Sequence, residues 1–186
     1  MRFKLLAGLA LIAALAPGCA SPAPAPTATA STAAPVAVAG GTDLAWTQLT
    51  LALDEHALQI LELAPERAAD AKLKAFAAEV AAAHRDEAAE LKRMLVEIQA
   101  PPGNPHEGHV MPGMVTPEAL AAMRASSGAA FDALLTTSLR EHLSQCLSLA
   151  KSEQKAGSQP AVKALAMAIE KDRGSALERL TALTPR

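Results

Sequence analysis

Histidine and glutamate side chains interrupt the apolar stripes of three predicted helices. Apolar residues spaced three and four apart mark the buried face of each helix, and His56, His84 and His142 fall within that pattern. Glu87 follows His84 by three positions, so the two share a helix face. Three imidazoles and a carboxylate are ligands for zinc, copper or iron. The alternative is a hydrogen-bonded layer in which Glu87 pairs with an imidazolium and the acidic side chains pair with Arg173.

Counting from the predicted turns places these residues at one height. With the first turn near Asp70, His56 faces His84, and about the second turn His142 faces Arg173. Both pairs lie about 21–23 Å from their turns at 1.5 Å per residue. If the hairpins pack in register, one buried layer contains His56, His84, Glu87, His142 and either Asp172 or Arg173. A buried polar group without a partner costs about 1–3 kcal/mol, so each must bind another, a water or an ion.

The connection between the hairpins carries a second candidate metal site. His106 and His109 are three residues apart, and so are Met111 and Met114. Thioether and imidazole together favour Cu(I) over hard cations. The alternative is a solvated loop in which Met114 packs against the helices.

The composition of the chain favours helix throughout the part that folds. It contains no Tyr, and Ala, Leu, Glu, Lys and Arg dominate. Long helices are predicted over 43–68, 71–99, 130–156 and 160–183. A short helix begins at Thr116-Pro117-Glu118, with an N-cap and a first-turn proline, and ends near residue 128.

An internal repeat relates the first and third long helices. The pattern E-H-x-x-Q-x-L-x-L-A occurs at residues 55–64 and again at 141–150, a shift of 86 residues. Duplicated hairpins of this length close into a four-helix bundle. Cys146 falls where Ile60 lies in the first copy, a position typical of a packed thiol.

The N-terminus is typical of an exported protein. Residues 1–20 have two positive charges and then a 12-residue apolar run, too short to span a membrane. Cys19 resembles the lipid-modified cysteine of bacterial lipoproteins, which would anchor the chain to a membrane; cleavage after Ala20 is the alternative. Residues 21–41 predict a disordered Pro/Ala/Thr/Ser linker. Residues 42–186 form the bundle, with hairpins at 43–99 and 117–183 and the His/Met loop at 100–116.

The charge of the chain argues against nucleic acid as a partner. Loss of Arg2 and Lys4 with the signal takes the net charge from −2 to −4. This mildly acidic balance leaves no basic surface of the kind that phosphates require. We expect a membrane and a metal ion as partners, and the sequence indicates no particular protein partner.

The linker motif resembles a known family. Residues 111–120, Met-Pro-Gly-Met-Val-Thr-Pro-Glu-Ala-Leu, and the following Ser-Gly-Ala-Ala-Phe-Asp at 127–132 are similar to the middle of the bacterial domain-of-unknown-function family 305, DUF305. The resemblance implies an exported, ferritin-like four-helix bundle, and some members bind copper. A related exported ferritin-like family is the second match. The family's His-His pairs are Glu55-His56 and Glu141-His142 here, and this change favours harder ions.

Three functions follow from these patterns. The first is an envelope lipoprotein that binds or buffers a transition metal, with copper favoured. The second is a structural or partner-binding lipoprotein that has lost the metal site. The third, a di-iron oxidase, is disfavoured, because such bundles need Glu-x-x-His motifs and His84-x-x-Glu87 is reversed and occurs once. We therefore expect a protein that is not an enzyme.

Overall fold

The structure is a computed structural model that describes residues 41–106 and 109–184. The predicted signal at 1–20, the lipid-modified Cys19 and the linker up to residue 40 lie outside these residues. None of the helices described combines the length and apolar composition that a membrane span requires.

Four long helices and two short ones make up the described part of the chain. The four-helix bundle predicted from the sequence is confirmed. In chain order the helices are α1 (Thr42–Leu61), α2 (Ala64–Arg67), α3 (Ala71–Glu97), α4 (Pro117–Ala125), α5 (Gly128–Ala156) and α6 (Pro160–Leu183).

Local sequence signals account for most helix ends. The Asp70 carboxylate accepts hydrogen bonds from the backbone N–H groups of Lys72 and Leu73, at 2.7 and 2.9 Å, and begins α3. Thr116 caps α4 through the N–H of Ala119 at 3.1 Å, as predicted. The helix predicted over 43–68 is interrupted after Leu61, because Pro65 has no N–H to continue the hydrogen-bond ladder and its ring crowds the preceding turn.

Two aspartates fix the direction of the long helices. Asp43, at the start of α1, accepts hydrogen bonds from the N–H groups of Ser158 and Gln159, just before α6, at 3.0 and 2.9 Å. Asp132, at the start of α5, accepts from the N–H groups of Ala69 and Asp70, just before α3, at 3.1 and 3.0 Å. Helices α1 and α6 therefore begin at one end of the bundle, and α3 and α5 at the other. The connection from α3 to α5 must cross the full length of the bundle, as in ferritin-like folds.

The buried core divides into two apolar halves. One half lies near the start of α3 and contains Phe76, Phe131 and Leu135. The other lies near the start of α1 and contains Trp46, Leu91 and Ile169. Between them the long helices place five polar side chains, here called the polar layer: Asp54, His84, Glu87, His142 and Arg173.

Candidate metal centre

Every long helix contributes to the polar layer. Asp54 comes from α1, His84 and Glu87 from α3, His142 from α5 and Arg173 from α6. Asp54, His84 and His142 are fully buried, and the side chain of Glu87 is 10% exposed. A layer drawn from four helices is held by the packing of the whole bundle, so its geometry is fixed before any ligand arrives.

The two buried imidazoles face each other through equivalent ring nitrogens. His84 Nε2 and His142 Nε2 are 2.8 Å apart. The opposite nitrogen of each ring faces a backbone carbonyl: His84 Nδ1 lies 2.8 Å from the oxygen of Val80, and His142 Nδ1 lies 3.3 Å from that of Gly113. A carbonyl accepts but does not donate, so these contacts favour a proton on Nδ1 of each neutral ring.

This tautomer assignment leaves two lone pairs in contact. If both Nδ1 atoms donate, both Nε2 atoms present lone pairs to each other across 2.8 Å, which is repulsive unless a cation lies between or beside them. Histidines that bind metals characteristically donate the other ring N–H to a carbonyl or carboxylate. The orientation of both rings is therefore the one that metal binding requires.

Arg173 connects the two acidic side chains of the layer. One guanidinium nitrogen donates to Glu87 Oε2 at 2.8 Å and to Asp54 Oδ1 at 3.1 Å. Within the described residues, Asp54 Oδ2 and Glu87 Oε1 are buried and receive no hydrogen bond. One cation thus faces two carboxyl groups, and each carboxyl retains an oxygen that a proton or a metal ion would satisfy.

Burial shifts the pKa of every titrating group in the layer. Desolvation and the charge of Glu87 raise the pKa of Asp54 well above its ordinary value, although Arg173 opposes this. Burial also raises the pKa of Glu87. Burial and the charge of Arg173 lower the pKa of His142 to about 3 and also lower that of His84. The layer therefore holds neutral imidazoles at neutral pH, and burial favours the protonated form of its carboxyl groups.

Three members of the layer lie close enough to hold one ion. Asp54, His84 and His142 each offer a ligand atom, and these atoms lie within 4.8 Å of one another. Asp54 Oδ1 is 3.7 Å from His84 Nε2. A tetrahedral ion with bonds of about 2.0–2.1 Å separates its ligands by about 3.3 Å. The His84–His142 and Asp54–His84 separations each reach this value after a change of about 0.5 Å.

Comparison with known sequences now places the chain. The sequence model described as Domain of unknown function (DUF305) matches residues 43–184. The chain belongs to the DUF305 family. The resemblance noted in the linker motif is thereby confirmed over nearly the whole folded part.

Solved DUF305 structures share this fold. One is a DUF305 protein from Streptomyces coelicolor, described as a candidate secreted protein, and another is a DUF305 fragment from Deinococcus radiodurans. Each is 16% identical to this chain with a TM-score of 0.70. The first match covers 77% of this chain and 91% of its own, and the second 78% and 96%. No curated protein matches the chain.

The structure places His56 of this DUF305 chain outside the close trio. His56 is half-buried, and its Nδ1 lies 3.1 Å from the carbonyl oxygen of Val115. Its repeat equivalent, His142, makes the matching contact to Gly113, so the two histidines hold opposite sides of one linker turn. Asp54 occupies the place opposite His84 that counting from the turn gave to His56. The break after Leu61 explains why Asp54, and not His56, lies opposite His84. The connection from α1 to α3 contains the extra short helix α2 and is therefore longer than the simple turn assumed in the count.

The four residues of the predicted loop site differ in burial. His106 lies near Trp46 at the start of α1, and His109 is exposed. Met114 is buried against Leu53 and Cys146, and Met111 packs on the same cluster. The two methionines therefore belong to the packed core beside Cys146, and a shared metal site for all four residues stays a prediction.

Asp54 was missed by the sequence analysis, and Arg173 was left open against Asp172. Asp54 directly precedes the repeated Glu55-His56 motif, so the sequence does show an acidic residue there. The three-four spacing of apolar residues placed His56, and not Asp54, on the buried face. Arg173 is 2% exposed, whereas Asp172 is exposed.

A cleft between α3 and α6 leads to the layer. Its lining includes His84 and Arg173 at the inner end and Glu79, Asp172 and Arg179 nearer the surface, and its volume is about 290 Å³. An ion pair between Arg179 and Glu79 spans the two helices there. A small ion therefore has a polar approach to the buried histidines.

Proposed function

We propose that this chain binds one transition-metal ion, with copper(I) favoured, between His84 and His142 in the core of its bundle. The observation that carries the proposal is the pair of Nε2 atoms 2.8 Å apart, each on a ring whose Nδ1 faces a carbonyl oxygen. Asp54 supplies a nearby carboxylate, and imidazole ligands suit copper and zinc alike.

The charge of the layer supports a monovalent ion. Arg173 offsets one carboxylate, and burial raises the pKa values of Asp54 and Glu87, which favours the neutral form of the second carboxyl group. Exchange of one buried proton for Cu(I) leaves the net charge of the layer unchanged. A divalent ion would bury an additional positive charge, which is costly in a low-dielectric core.

Export, and anchoring through lipid on Cys19, complete the proposal. The apolar run and the cysteine at the end of residues 1–20 support it, and a DUF305 protein of similar fold is described as a candidate secreted protein. Ion storage or buffering at the cell envelope, without catalysis, fits histidines that lie fully buried between the two apolar halves of the core.

Metal content and affinity of the full-length chain test this function. We expect about one copper per chain by elemental analysis after growth with copper and zinc, and release of about one proton per Cu(I) bound. The double variant His84→Ala, His142→Ala should lose the ion. His109→Ala, which changes an exposed histidine, should keep it. Equal metal content in the parent and the double variant would refute the proposal.

A purely structural polar layer is the second candidate. Arg173 donates hydrogen bonds to both Asp54 and Glu87, and these bonds hold the buried acidic side chains without an ion. This reading predicts no retained metal. It also predicts that replacing Asp54, Glu87 and Arg173 together by Leu leaves the free energy of unfolding equal or higher, as for other buried ion pairs.

A further inference from the structure

The sulfur of Cys146 lies beside the histidine pair. Cys146 Sγ lies 3.6 Å from His142 Nε2 and 3.8 Å from its Nδ1, and the thiol is 2% exposed. Met114 is buried in the same cluster as Cys146, and Met111 packs against that cluster. Thiol and thioether groups select soft ions, above all Cu(I).

Ligand separations around His142 already approach those of a bound site. A tetrahedral ion with nitrogen and sulfur bonds of about 2.0 and 2.3 Å separates these two ligands by about 3.5 Å. The observed separation of Cys146 Sγ and His142 Nε2 is 3.6 Å, so this distance needs almost no change when an ion binds. The separation of the two Nε2 atoms, 2.8 Å, must widen by about 0.5 Å.

We infer that the thiolate of Cys146 is the third ligand of the site, beside His84 Nε2 and His142 Nε2, and that the site takes a soft monovalent ion. This inference rests on the proposed function, since it completes the same metal centre. Binding breaks the S–H bond and forms an S–Cu bond: the thiol and Cu(I) give the copper thiolate and one proton, with no change of oxidation state.

The thiolate also agrees with the charge of its surroundings. Arg173 already faces the carboxyl groups of Asp54 and Glu87. A thiolate with Cu(I) is neutral, so the buried layer keeps its net charge when the ion replaces the thiol proton. The proton released on binding then comes from Cys146 and not from the carboxyl pair.

A titration of the full-length chain carrying Cys19→Ser tests the inference, because Cys146 is then the sole thiol. Cu(I) is supplied without oxygen from a chromophoric chelator. We expect one Cu(I) per chain and a near-ultraviolet charge-transfer band from sulfur to copper. Cys146→Ser should lower the affinity by more than about 100-fold, beyond the loss typical of an outer-sphere partner, and remove the band. Met123→Leu, which removes a buried sulfur from the other end of the core, should change neither.

Copper X-ray absorption of the parent gives a second measurement that needs no variant. One sulfur at about 2.3 Å with two nitrogens supports the inference. A nitrogen-and-oxygen shell overturns it, as does full affinity and an unchanged spectrum in Cys146→Ser. In either case loss of binding in His84→Ala, His142→Ala leaves the proposed function standing. A parent that binds no Cu(I) overturns both.

Discussion

His84 and His142 belong to different hairpins, and their Nε2 atoms meet at 2.8 Å across 58 residues of sequence. The contact depends on the crossing connection as much as on the helices. Gly113 presents its carbonyl to His142 Nδ1 at 3.3 Å and thereby fixes the ring. Its backbone has a φ of +83°, and a Cβ there would lie 2.6 Å from Cβ of Gln145 on α5.

Gly113→Ala should therefore disturb both stability and the site. The positive φ and the close approach to α5 predict a loss of about 1–3 kcal/mol in the free energy of unfolding. Because relief of the clash with Gln145 shifts the linker and its carbonyl away from His142, we also expect weaker Cu(I) binding, by about 10–100-fold. Urea unfolding and chelator competition measure the two effects. Gly103→Ala is the control, since its φ is also positive but a Cβ there has open space.

Acid should destabilise the bundle through its buried histidines. The folded pKa of His142 is about 3 against an ordinary value of 6.5, and that of His84 is lowered as well. The unfolded chain then binds more protons below pH 6.5, so the stabilising contribution is present above that pH and is lost as the pH falls towards 3. Each histidine contributes up to about 1.4 kcal/mol per pH unit within this window.

Urea unfolding at pH 7.0 and 5.0 measures this loss. His142→Gln should reduce the difference between the two pH values, because it removes one of the two titrating groups. His109→Gln should leave the difference unchanged, since His109 is exposed. Identical pH dependence in the parent and His142→Gln would contradict the assignment.

The sequence was sufficient for the fold because its signals are local. Asp70, Thr116 and Pro160 each act on the helix that they begin, and the three-four spacing on α3 and α5 placed His84 and His142 in the core as observed. The same spacing failed on α1. There the buried arc includes Asp54, and His56 turns towards the linker.

The composition of the site could not be read from one helix at a time. Asp54 is buried because Arg173, 119 residues away, donates to it, and no local pattern records that pairing. The repeat was also a misleading guide to detail. It predicted equivalent buried positions for His56 and His142, whereas among the described residues His142 faces His84 and His56 does not.

Removal of Arg173 should be among the most damaging single changes in the layer. Arg173→Met leaves Asp54 and Glu87 buried together without their shared cation, so we expect a loss of about 3–5 kcal/mol at pH 7. The loss should shrink as the pH falls, because burial raises the pKa values of both carboxyl groups and their protonation removes the unpaired charge. Arg179→Met removes an exposed pair with Glu79 and should cost under about 1 kcal/mol. Chemical denaturation compares the two variants, and similar losses would argue against a buried ion pair.

Glu153 provides a test of pH dependence away from the metal centre. It is fully buried near the end of α5, and burial together with the adjacent Asp43 raises its pKa to about 7 from 4.5. Asp43 meanwhile accepts hydrogen bonds from Ser158 and Gln159 at the start of α6. Protonated Glu153 therefore stabilises the fold, and this contribution, present below pH 4.5, is lost as the pH rises through 7.

Glu153→Gln mimics the protonated form at every pH. We expect the free energy of unfolding of this variant to exceed that of the parent by about 1–2 kcal/mol at pH 8 and to match it closely at pH 5. Thermal and urea unfolding at both pH values measure the difference. Glu178→Gln, at an exposed site on α6, should match the parent throughout. A stabilisation by Glu153→Gln that is equal at pH 5 and pH 8 would mean that Glu153 gains no proton on folding, and that Asp43 caps α6 without a carboxyl partner.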